Sequence, residues 1–172
     1  MEFKFLTNDF YKDFDKDKYP EISRKNERPY TQTLCSVDNL LFAIPLRSSI
    51  SHKHVLWSDK DKGCGLDFSK AVLILDKEKY IDDTTKPHIR DNEYKALLGQ
   101  EYIVKTKMEK HIKDYKKAKQ NLEIRRNREL CNCSTLQYFE EHIYTSEELS
   151  KKEVATSNEF KNMNLFEHLP NK

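Results

Sequence analysis

The densest run of reactive side chains in the chain is Pro45-Leu46-Arg47-Ser48-Ser49-Ile50-Ser51-His52-Lys53-His54, with Trp57 close behind. Hydroxyls, two imidazoles, a guanidinium and an ammonium fall within ten residues, with no carboxylate among them to hold a metal. Such a set suits phosphate. Arg offers a bidentate fork, Lys a point charge and Ser further hydrogen bonds, while His moves protons near neutral pH. The same residues also suit a polar, solvated turn with incidental histidines. Tyr30, preceded by Arg28-Pro29, is the second candidate, and its alternative is a packed aromatic. Trp57 is more readily an anchor than a platform for a planar ligand. His88, His111, His142 and His168 stand alone and receive no role.

These residues need a scaffold. LLFAIP, immediately before the reactive run, reads as a strand that delivers it to a loop, and loops on rigid scaffolds commonly carry function. YTQTLCSV alternates, and Asp38-Asn39 supplies turn chemistry, so residues 30–45 predict a β-hairpin. Glu2 to Thr7 reads as an opening strand, followed by a helical turn capped at Asn8 or Asp9 and carrying Phe10, Tyr11 and Phe14. The charged, Pro-punctuated stretch to Pro29 reads as a surface loop with nothing to suggest a core. HVLW and AVLIL add two strands, the second apolar throughout and therefore expected near the sheet centre, and PHIR adds an edge piece. From Asn92 to about Gln120 apolar residues recur with helical spacing, with an interruption expected near Gly99. Ser134 with Gln137 resembles a capping box opening a second helix through Leu136, Phe139 and Ile143. Residues 145–172 read as a polar C-terminal segment docking by Phe160, Leu165 and Phe166. The expectation is one α+β domain over 1–172.

Composition narrows the function classes. Only 37% of the 172 residues are hydrophobic and 35% are charged, but nine Phe, nine Tyr and one Trp can still build a core. Neither a membrane span nor a signal peptide is visible, which predicts a cytoplasmic protein. The four cysteines then read as reduced thiols rather than disulfides or a zinc site. Three glycines cannot assemble a phosphate-binding P-loop or a dinucleotide-binding turn, and neither G-x-S-x-G nor H-E-x-x-H occurs. No cofactor or metal is expected. The net charge of +2 hides an uneven distribution, because residues 105–128 hold ten Lys and Arg against three acids. That run fits a polyanion, RNA or DNA, or simply a solvated helix face.

FLTNDFYKDF, RPYTQTL and above all FAIPLRSSISHKHVLW resemble the ToxN/AbiQ family of type III toxin-antitoxin endoribonucleases, including its CptN and TenpN branches. The resemblance covers about the first half of the chain. It implies a twisted antiparallel sheet, partly barrel-like as in the Kid, MazF and CcdB toxins, flanked by helices. It also implies metal-independent RNA cleavage to 2′,3′-cyclic phosphate and 5′-hydroxyl ends. The implied partners are a tandem-repeat pseudoknot RNA antitoxin, with which the toxin builds a closed oligomer, and cellular or phage RNA as substrate; phage resistance by abortive infection is one implied output.

The family's segment often runs Pro-Leu-Thr-Ser-Pro-Lys. Pro45, Leu46 and Ser48 match it, Arg47 and Ser49 replace the Thr and the second Pro, and the nearest Lys is Lys53. Tyr30 matches a functional tyrosine, while the lysine that follows it in some members corresponds to about Leu34. The resemblance thus assigns catalysis to Tyr30, Ser48, His52 and Lys53. Ser48 would orient the 2′-OH or a phosphate oxygen, Lys53 and Arg47 would stabilise charge, and His52 or Tyr30 would handle protons. RNA contacts fall to Arg47, Ser49, His54 and Trp57, and along the basic run to Lys113, Lys116, Lys117, Arg125 and Arg126. The alternative is a non-catalytic RNA- or DNA-binding protein whose loop only clamps phosphate.

Overall fold

Apolar alternation and tight turns build most of the sheet. The computed structural model describes residues 1–24, 30–145 and 148. The chain divides into a unit spanning Met1–Phe139 and a second spanning Glu140–Lys172. In the first, β1 (Phe3–Leu6), β2 (Gln32–Val37), β3 (Leu40–Arg47), β4 (Val55–Asp59), β5 (Cys64–Asp67), β6 (Val72–Leu73) and β7 (Ile81–Asp82) form one antiparallel sheet in the order β4-β5-β3-β2-β1-β7, with β6 also on β3. The sheet is open, its path ending at β4 and β7. This α+β arrangement, an antiparallel sheet with flanking helices, is the one expected.

The hairpin forms as the sequence dictates: Asp38 and Asn39 take φ of 48° and 63°, the left-handed pair that a two-residue hairpin turn requires. Its second strand organises the sheet. One edge of β3 pairs with β2, and the other is shared between β6 at Phe42 and Ala43 and β5 at Leu46 and Arg47. AVLIL is therefore not a full central strand. Ala71 to Ile74 are buried, but the strand is only Val72 and Leu73, with β5 taking the far end of that edge at Leu46 and Arg47. β5 itself lies in a stretch that reads as a polar strand ending, and PHIR forms no strand.

The helices α1 (Asn8–Asp13), α2 (Lys77–Tyr80), α3 (Asp91–Leu97), α4 (Glu101–Lys119) and α5 (Arg125–Cys133) complete this unit. Thr7, not Asn8 or Asp9, caps α1 by accepting from Phe10 N. Gly99, at φ +76°, breaks the predicted long helix into α3 and α4. The buried face of α4 is Val104, Met108, His111, Ile112, Tyr115 and Ala118, whereas Tyr94, Leu98 and Tyr102 are exposed despite helical spacing. Arg125, Arg126 and Arg128 of the basic run lie on α5. Ser134 caps only a 3₁₀ turn, Thr135–Tyr138, and the Gln137 amide donates to the Ser134 carbonyl instead of receiving from its N–H.

Aromatic packing compensates for the low aliphatic content. Phe10, Phe42, Phe68, Tyr115 and Phe139 are essentially fully buried, and each large side chain so placed contributes roughly 1.5–3 kcal/mol. Ile22, inside the stretch read as coreless, is buried too. In the second unit α6 (Glu140–Ile143) is a four-residue helix. The proposed docking of Phe160, Leu165 and Phe166 lies outside the described residues.

Candidate functional site

Arg47 closes β3 opposite Gly65 of β5. A Cβ at position 65 would collide with the Leu56 carbonyl and come within 2.8 Å of Val55 Cγ2, so glycine permits the close approach of β4. Beyond Arg47 the chain turns at Ser49, whose φ is 58°, and is secured at Ile50, which is buried and donates its N–H to Gly63 O at 3.0 Å. Ser48 is thus held at the rim of the sheet between a strand end and an anchored turn.

Tyr30, Arg47 and Ser48 line one cavity of about 510 Å³. The guanidinium carbon of Arg47 lies 5.9 Å from the centre of the Tyr30 ring, within cation–π range. Lys62, His88 and Arg90 line the same cavity. Each strong cation is steadied by a carboxylate: Lys62 by Asp59 at 3.1 Å, Arg90 by Glu93 at 2.7 and 3.1 Å, and Arg47 by Asp67. A guanidinium carries five N–H donors, so one ion pair leaves others for a ligand; Arg47 Nε is buried with no partner in the structure.

Asp67 is fully buried at the end of β5. Its Oδ2 accepts from Arg47, and its Oδ1 accepts from Ser69 N at 3.0 Å and Ser69 Oγ at 2.7 Å, with His52 Nε2 at 3.4 Å. Burial by itself would push this carboxyl up. Hydrogen bonds from His52 and Ser69 and the charges of His52 and Arg47 outweigh it and bring the pKa down to about 2. The carboxylate is therefore a fixed negative charge that orients Arg47 from behind.

The structure does not gather all the residues singled out in the sequence. His52 lies in the Asp67 and Ser69 network and outside the cavity lining, and Lys53 and His54 line a second cavity of about 160 Å³. Ser49 is exposed, and Trp57 is half-buried on β4 in neither cavity. Lys113 and Lys117 are exposed on α4 with Lys116 half-buried, and Arg125 and Arg126 are exposed on α5, where Arg125 pairs with Glu129 at 2.8 Å. Sequence reasoning missed Lys62, Asp67, His88 and Arg90. Nothing local marks them: Lys62, His88 and Arg90 lie outside the strands and reach the cavity of Tyr30 and Ser48 only through the tertiary fold.

No family model, curated protein or solved structure matches the chain. Among the described residues, no group of three or more His, Cys, Asp or Glu is placed to hold a metal ion, and no helix is long and apolar enough to cross a membrane.

Proposed function

We propose that the chain is a metal-independent endoribonuclease, a cytoplasmic toxin of the type III kind that the FAIPLRSSISHKHVLW segment resembles. One observation carries the reading: Tyr30 and Ser48, at the two ends of one hairpin, line one cavity together with Arg47, Lys62, His88 and Arg90. That is the equipment for phosphodiester cleavage: donors for the non-bridging oxygens, groups that move protons, and room for a ribose phosphate.

In this mechanism the substrate's own 2′-OH attacks phosphorus, an intramolecular nucleophile with high effective concentration. The 2′-oxygen–phosphorus bond forms, the bond to the 5′-oxygen breaks, and the ends are a 2′,3′-cyclic phosphate and a 5′-hydroxyl. Arg47 and Ser48 bind the phosphorane oxygens as charge grows there. His88, the imidazole that lines this cavity, takes the proton role first assigned to His52, and Tyr30, which lines the same cavity, is its counterpart. The exposed Lys113, Lys117, Arg125 and Arg126 offer backbone contacts to a longer RNA, such as a tandem-repeat pseudoknot antitoxin that closes the toxin into an oligomer. The reading is tested with an RNA carrying a single 2′-deoxy substitution at the mapped scissile nucleotide. Cleavage stops at that position and persists elsewhere; undiminished cleavage there rules the mechanism out.

A further inference from the structure

The smaller cavity shares no lining residue with the larger one. One wall is the start of β4 and the residues before it, with Lys53 and His54; the other is α4, with Lys107, Lys110, His111 and Asp114 on one face at three- and four-residue spacing. The floor is apolar, formed by Val55 and Phe68.

The charges do not balance. Asp114 holds Lys110 through both oxygens, at 3.1 and 2.9 Å, which leaves Lys53 and Lys107 without an ion-pair partner among the described residues. The imidazoles add unused hydrogen-bonding capacity. His111 is 2% exposed, and its Nδ1 is buried with no partner. Its Nε2 is 3.2 Å from Ser134 Oγ, which already accepts from Leu136 N at 3.3 Å. Whichever way that bond runs, Nδ1 is left without a partner in the structure. The His54 ring, also lining the cavity, stands 5.1 Å from that of His111 at 63°. A buried ring nitrogen with no partner is costly unless something else supplies one.

The volume of about 160 Å³ equals roughly five waters at ~30 Å³ each, enough for a tetrahedral oxyanion and too small for a nucleotide. Donors arriving from two directions suit an anion whose oxygens point several ways better than they suit a planar carboxylate. We infer that this cavity is a phosphate-binding subsite, in which Lys53 and Lys107 supply charge and His54 and His111 supply hydrogen bonds. It stands apart from the nuclease reading, because occupancy requires no cleavage.

The test follows the ring resonances of His54 and His111 by NMR in the intact protein at fixed ionic strength. One arm adds inorganic phosphate, a second a short oligodeoxynucleotide without terminal phosphate, and the control sodium chloride. Saturable movement of both rings is expected with phosphate, weakened about tenfold by Lys107→Ala and by Lys53→Ala, as losing a charge-assisted hydrogen bond implies. Movement only in the oligonucleotide arm, lost in the same variants, assigns the subsite to backbone phosphate. Rings that stay still in both arms, or that respond equally to chloride, overturn the inference. So does an affinity indifferent to both lysines.

Discussion

Asp67 and Arg47 form an ion pair in which the carboxylate is wholly buried while the guanidinium side chain keeps 25% of its exposure and lines the larger cavity. Removing one partner of a buried pair strands the other. Asp67→Asn is expected to lower stability by about 3 kcal/mol, the low end for such pairs because Arg47 remains partly solvated. Urea unfolding measures it. The pH course has a definite sign: with a folded pKa of about 2 against an ordinary 3.8, the Asp67 contribution is complete above about pH 4 and lost as pH falls toward 2. It amounts to about 2 kcal/mol, and the gap between wild type and Asp67→Asn narrows across that window.

His111 sets a second pH dependence, at milder acidity. Burial, then the neighbouring His54, pushes its pKa down to about 3 from an ordinary 6.5. The folded chain keeps it neutral while the unfolded chain takes up a proton, so stability is full above pH 6.5 and falls as pH drops toward 3. One proton accounts for a slope of about 1.4 kcal/mol per pH unit. Denaturant unfolding between pH 7 and 4 should show that slope in wild type and a flatter line in His111→Gln.

Gly65 and Gly99 provide a matched pair of backbone tests. Alanine at 65 meets the Leu56 carbonyl and Val55 in the strand pair that positions Arg47, so Gly65→Ala should cost about 1–3 kcal/mol and reduce RNA cleavage as well. Gly99 has a positive φ and nothing within 4 Å of an added Cβ. Gly99→Ala should cost about 1–2 kcal/mol from conformation and leave cleavage unchanged in the folded protein. Thermal unfolding and cleavage rates, measured on both variants, separate the two effects.

Replacing the histidines separates the proton roles. His88→Ala is expected to slow cleavage about 10²–10⁴-fold and remove one limb of the pH–rate profile. His52→Ala, whose ring contacts Asp67 and Ser69 outside the cavity, should change the rate less and retain both limbs. The profiles of the two variants decide between them.

Much of the scaffold was legible because its signals are local. The left-handed Asp38-Asn39 pair fixed the hairpin register, and Gly99 marked the helix break. The long-range pairings were not. β5 hides in Cys64-Gly65-Leu66-Asp67, where a glycine and an acid mask a strand whose identity depends on packing between β3 and β4. At the site, Tyr30, Arg47 and Ser48 could be chosen by chemistry and motif. Lys62, Asp67, His88 and Arg90 could not, because nothing in their own short stretches marks them until the chain folds around the cavity. The rings of His52 and His54 stay 6.0 Å apart, yet they meet different neighbours: His52 reaches Asp67 and Ser69, while His54 and Lys53 line the smaller cavity against α4.

The most direct test of the central claim is to incubate the purified protein with a mixed-sequence RNA in EDTA and map the ends. The account predicts 2′,3′-cyclic phosphate and 5′-hydroxyl ends, with the rate falling roughly 10²–10³-fold in Ser48→Ala and in Arg47→Ala, as expected when one stabiliser of the phosphorane is removed. RNA left intact by the folded wild-type protein, or 3′-hydroxyl and 5′-phosphate ends, would contradict it.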